Sequence, residues 1–72
     1  MTKFHKGQKV EWKWGQGTAE GKIAESFTEK VTRTIKGKEI TRNADDKEPA
    51  YLVEQEKGGE ALKSHSELTA KG

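Results

Sequence analysis

Between Lys9 and Trp14 apolar and charged residues alternate without a break, with Val10, Trp12 and Trp14 on one parity and Lys9, Glu11 and Lys13 on the other. A period of two belongs to a half-buried β-strand and to no helix. Both tryptophans of the chain therefore sit in one strand, which runs into a turn at Gly15-Gln16-Gly17. A second strand is predicted from Thr18 to Phe27; its alternation is weak, and Gly21 in its middle predicts a bend or bulge there. From Val31 to Arg42 the pattern fits a hairpin turning at Lys36-Gly37. A two-residue loop pairs Ile35 with Lys38, Arg33 with Ile40 and Val31 with Arg42, and so gathers Val31, Ile35 and Ile40 on one face. Asn43 to Pro49 is polar, acidic and closed by the single proline, which reads as an irregular loop. Ala50 to Gln55 is rich in β-formers, with Tyr51 and Val53 on one face and Leu52 on the other, and Lys57-Gly58-Gly59 turns the chain into a short strand from Glu60 to Lys63. Ser64-His65-Ser66-Glu67 has the Ser-x-x-Glu spacing of a capping box, predicting one helical turn, after which Leu68 plugs the end of the core and Thr69 to Gly72 is expected to fray.

Short strands joined by glycine turns and closed by one helical turn predict an all-β chain, a small five-stranded barrel of the SH3-like or Tudor-like kind over residues 4–68, with an OB-fold as the more distant relative. At 72 residues there is room for one domain. Only 29% of residues are hydrophobic, so nearly every large apolar side chain is needed inside. That scarcity also admits disorder, but tryptophans set in an alternating strand and a net charge of only +2 argue against it. The chain has no cysteine, which excludes disulfides and thiolate zinc sites and suits a reducing compartment. No apolar run is long enough for a signal peptide or a membrane span, so a cytoplasmic location is expected.

The segments Lys6-Gly7-Gln8-Lys9-Val10-Glu11-Trp12, Gly15-x-Gly17 followed by Gly21, Arg42-Asn43-Ala44-Asp45, Pro49-Ala50-Tyr51-Leu52-Val53 and Ser66-Glu67-Leu68 occur in the order found in a known family. Over roughly Phe4 to Leu68 the chain resembles the hypervirulence-associated Tudor-domain family of small proteins. The resemblance implies a compact Tudor-type barrel, usually a stand-alone bacterial protein. It implies no biochemical activity and carries no binding residue across, because a fold label describes shape and not function.

The side chains themselves allow two binding chemistries. Trp12, Trp14, Phe27 and Tyr51 are enough rings for an aromatic cage around a cation, with Asp45 or Glu48 as the carboxylate beside it. Core packing competes for the same rings, and Trp14, last in its strand and next to glycines, is the one expected to be partly exposed. Lys13, Lys22, Arg33, Lys36, Lys38 and Arg42 could form a basic stripe for single-stranded nucleic acid, interrupted by Glu11, Glu20, Glu25 and Glu39. Its best stretch is the hairpin tip, with Arg33, Lys36, Lys38 and Arg42. Gly15-Gln16-Gly17 begins like a dinucleotide fingerprint, but Glu20 stands where the third glycine is needed. His5 and His65 have no metal or triad spacing, and Asp45-Asp46 lacks the ligands of a calcium loop. The chain is therefore expected to be a non-enzymatic, monomeric module without cofactor or metal. Its expected ligand is a protein or peptide in a shallow groove lined by Trp14, Tyr51, Phe27 and Asp45, with RNA on the hairpin tip as the alternative and no membrane contact.

Overall fold

The computed structural model describes residues 3–71. Its elements are β1 (Lys9–Trp14), β2 (Gly17–Phe27), β3 (Val31–Ile35), β4 (Lys38–Arg42), β5 (Ala50–Gln55), β6 (Glu60–Ser64), a 3₁₀ turn (His65–Glu67) and β7 (Thr69–Ala70). The all-β class is as expected, but the five-stranded barrel is corrected. Five strands form one hydrogen-bonded sheet in the order β6-β5-β2-β1-β7, and β3 and β4 pair only with each other. The sheet does not close, because its two edge strands, β6 and β7, pair with one neighbour each and the 3₁₀ turn lies between them in the chain.

The β1–β2 hairpin is in register from Lys9 opposite Lys22 to Trp14 opposite Gly17. Gly15 at φ +59°, with no positive φ at Gln16, is the pattern of a II′ turn, whose first central position favours glycine. The expected bulge exists in β2 but not at Gly21: the register shifts between Ile23 and Glu25. Gly21 remains paired with Val10 on one side and Gln55 on the other. A Cβ there would lie 2.3 Å from the carbonyl oxygen of Glu54 and 2.8 Å from Val53 Cγ1. Glycine is needed because β5 approaches too closely for any side chain.

The β3–β4 register is the one expected, from Val31 opposite Arg42 to Ile35 opposite Lys38. Positive φ at both Lys36 (52°) and Gly37 (80°) is the I′ pattern that a two-residue hairpin loop favours. This hairpin covers a second face of β5. Tyr51 and Val53 pack in one core cluster with Val10, Trp12, Ile23 and Leu68. Ala50 and Leu52 pack in another with Val31, Ile35 and Leu62. β5 is thus buried on both sides.

At the C-terminal end, Glu67 Oε1 accepts the Ser64 amide at 2.8 Å, the glutamate arm of the expected capping box. It also accepts Arg42 Nε at 3.0 Å, tying the turn to β4. Burial pushes the Glu67 carboxyl pKa up, but the Ser64 amide together with Arg42 and Lys63 outweighs it and holds the carboxyl below its ordinary value. Thr69 and Ala70, expected to fray, instead pair with Glu11 and Val10, and the Lys71 amide donates to Lys9 at 3.0 Å. Backbone pairing to an open edge of β1 holds them although their side chains are exposed. Gly72, assigned to the same tail, lies outside the described residues.

Candidate functional site

Trp12 and Trp14 share one face of β1 and meet opposite fates. Trp12 is 4% exposed inside the first core cluster, whereas Trp14 is 71% exposed, the large hydrophobic side chain left in water among the described residues. The cause is position: Trp14 closes the hairpin, beyond the reach of the elements that cover Val10 and Trp12. Beside it is a cleft of about 290 Å³ lined by Trp12, Trp14, Ala19, Lys36 and Gln55. A neighbouring cleft of about 360 Å³, lined by Thr18, Ala19, Glu20, Gln55, Glu56 and Lys57, shares Ala19 and Gln55 with it. Residues from the β1–β2, β3–β4 and β5–β6 hairpins therefore converge around one exposed indole.

The other residues expected at the site lie elsewhere. Tyr51 is fully buried. Its hydroxyl accepts the Phe4 amide at 3.2 Å and lies 3.1 Å from His65 Nδ1, so it can donate its own proton to that nitrogen. The Phe4 ring packs against both, with centroid distances of 5.5 Å to Tyr51 and 4.7 Å to His65. A side chain enclosed this way lines no surface groove. Phe27, at the far end of β2 from Gly17, is half-buried against the second core cluster and carries the Arg33 guanidinium 4.9 Å from its centroid. Asp45 is exposed in the loop before β5, where its Oδ1 accepts the amides of Lys47 (2.9 Å) and Glu48 (2.7 Å), an Asx turn. These positions do not enclose one cavity, so the four aromatics form no cage.

The basic hairpin is also divided. Arg33 is stacked on Phe27 and Arg42 is bonded to Glu67. Lys36 and Lys38 are exposed at the tip, and only Lys36 lines the tryptophan cleft. Sequence reasoning did not assign Ala19, Gln55, Glu20, Glu56 or Lys57 to the site. Nothing in their spacing signals it, because two hairpins far apart in the chain, β1–β2 and β5–β6, bring them together. Glu20, on the lip of the larger cleft, is ion-paired with Lys71. The hydrogen bond that Lys71 donates to Glu20 raises the Lys71 ammonium pKa above its ordinary value; desolvation opposes it, and the fields of Glu20, Glu11 and Glu56 add to the rise. Around that lip two carboxylates, Glu20 and Glu56, stand beside two ammonium groups, Lys57 and the ion-paired Lys71.

The sequence profile of the Tudor domain of hypervirulence associated proteins matches residues 7–68. The chain belongs to this family. The resemblance read from the sequence is thereby established over nearly the whole chain, and the open, bent sheet is consistent with a Tudor-like fold. Among curated proteins and among solved structures nothing matches the chain. The Tudor fold is a non-catalytic binding fold, so this member of the hypervirulence-associated Tudor family is, in general terms, a small binding module. No helix among the described residues is long and apolar enough to cross a membrane.

Proposed function

We propose that this Tudor-family chain is a non-enzymatic interaction module that takes a protein or peptide partner in the shallow groove beside Trp14. The carrying observation is that indole, 71% exposed in a domain with few large apolar groups and set directly against a cleft floored by Trp12. Tryptophan is enriched among the few residues that dominate binding energy, because it buries much area for little lost conformational freedom. Tyr51, Phe27 and Asp45 leave the expected groove, and Ala19, Gln55 and Lys36 take their place. In this reading the module works as a monomer in the bacterial cytoplasm, which its cysteine-free composition suits.

The test compares wild type with Trp14→Ala in quantitative cross-linking to partners from the native host, followed by affinity measurement for each. A hot-spot role predicts at least a roughly 30-fold loss, the equivalent of about 2 kcal/mol. Unchanged partners and affinities in Trp14→Ala overturn the reading.

A second reading is favoured by one observation: Lys36 lines the same cleft as Trp14, placing a cation beside a stacking surface, as single-strand binders do. RNA contact there, extending to Lys38, would weaken steeply with salt through counterion release. Absence of amide shifts near Lys36 to Arg42 on titration with single-stranded RNA at low salt eliminates it.

A further inference from the structure

The tryptophan cleft carries one unbalanced charge. Of the side chains that line it, Trp12, Trp14, Ala19, Lys36 and Gln55, Lys36 alone is ionised. It is exposed and takes part in no ion pair among the described residues. Its stem reaches from the β3–β4 tip to the turn before β6: the point where a Cβ would stand on Gly59 is 3.5 Å from Lys36 Cε and 3.8 Å from Nζ. Turn chemistry does not account for a lysine there. At φ +52° Lys36 is the one non-glycine residue with positive φ among the described residues, a conformation strained for most L-residues and better suited to asparagine or glycine.

The surroundings offer neither a cage for a cation nor a track for a polyanion. A cage needs several rings around one ammonium. Here the Trp12 ring already has Lys63 Nζ 5.9 Å from its centroid, and Lys36 adds a second like charge at the cleft. In the adjoining cleft Glu20 is paired with Lys71 and Glu56 stands beside Lys57, so that side is balanced. Binding a phosphate backbone takes a row of cations. Arg33 is stacked on Phe27, Arg42 is bonded to Glu67 and Lys38 lines neither cleft, which leaves a single cation beside the indole. One exposed indole and one unpaired ammonium match one aromatic ring with one carboxylate next to it. We infer that the groove selects a peptide segment in which an aromatic residue adjoins glutamate or aspartate: the ring lies against Trp14, and the carboxylate accepts a charge-assisted hydrogen bond from Lys36 Nζ. The same ammonium disfavours lysine, methylated or not. This inference rests on the proposed groove and deepens it by naming the partner's chemistry and the residue that sets it.

The experiment titrates the full chain with four acetylated, amidated peptides, Gly-Phe-Glu-Gly and its counterparts with glutamine, lysine or trimethyllysine in place of glutamate, and reads the NMR shift of the Trp14 indole. The glutamate peptide should bind about two- to fivefold more tightly than the glutamine one, as for a partly exposed ion pair, and the two cationic peptides should bind more weakly still. Lys36→Asn, which suits the left-handed turn, should make the four peptides equal without lowering the thermal midpoint. Lys36→Glu should reverse the order, so that the lysine peptide binds more tightly than the glutamate one. Equal binding of all four peptides to the wild type overturns the selection while leaving the groove reading intact. A preference for glutamate that survives in Lys36→Asn assigns it to another cation and overturns the proposal, and a wild-type preference for trimethyllysine overturns it in favour of a cage. A single-stranded RNA oligomer that moves the indole at lower concentration than the glutamate peptide assigns the site to a polyanion and equally overturns it. Silence of the indole towards every peptide also overturns it, and the groove reading is then judged separately by the partners of Trp14→Ala.

Discussion

Trp12 and Trp14 are chemically identical and separated by two positions, yet one is packed in the core and the other stands in water. Trp12→Ala is expected to cost about 3–5 kcal/mol, the range for deleting a buried large aromatic. Trp14→Ala should stay within about 0.5 kcal/mol of wild type, as for exposed sites without special contacts; urea unfolding of both variants checks the contrast. Tyr51→Phe is the complementary test inside the core. It leaves the Phe4 amide and His65 Nδ1 without their shared partner, and denaturant titration should record a loss of about 1–3 kcal/mol although the ring is retained. The exposure of Trp14 was legible from its place at the end of the strand beside glycines. The burial of Tyr51 was not read from parity, yet a signal existed. Ala50-Tyr51-Leu52-Val53 is a continuous apolar run, and such runs mark strands covered on both faces. His65, in the 3₁₀ turn, carried no comparable signal, because its partner lies 14 residues away in β5.

Among the elements, the β3–β4 hairpin was legible down to its register, because a two-residue loop leaves only one pairing that collects Val31, Ile35 and Ile40 on one face. The β2 bulge was misplaced because glycine in a strand has two physical causes, a bulge or a close backbone approach, and sequence alone does not separate them. Gly21→Ala separates them experimentally. A Cβ 2.3 Å from the Glu54 carbonyl must push β5 away from β2, at a cost of about 1–3 kcal/mol as for other overpacking. A bulge glycine with open space would cost less, so near-wild-type stability on thermal denaturation would refute the close-approach account. β7 escaped sequence reading because two residues contain no period; only the open edge of β1 holds them.

At the scale of the whole molecule, the order of the sheet follows from two hairpins, β1–β2 and β5–β6, and two longer connections that bring β5 beside β2 and β7 beside β1, but whether the sheet closes depends on distances between edges that no local pattern encodes. A side chain supplies one tie across the fold: Glu67 bonds the Ser64 amide and Arg42 at once, holding the 3₁₀ turn to β4. Because its folded pKa lies below the ordinary 4.5, its contribution is fully present above that pH and is lost as pH falls through the folded value. The pair is partly exposed and solvent-screened, so the effect should be under about 1 kcal/mol. The stability difference between wild type and Glu67→Gln should accordingly shrink between about pH 6 and pH 3 in urea titrations, and a difference independent of pH would refute the charged role. All of these features serve one division of labour, a closed interior around Trp12 and Tyr51 and an open groove around Trp14. The most direct test is acrylamide quenching of tryptophan fluorescence in Trp12→Phe and Trp14→Phe, each retaining one indole. The account predicts ready quenching of the remaining Trp14 and strong protection of the remaining Trp12; equal quenching of the two would contradict it.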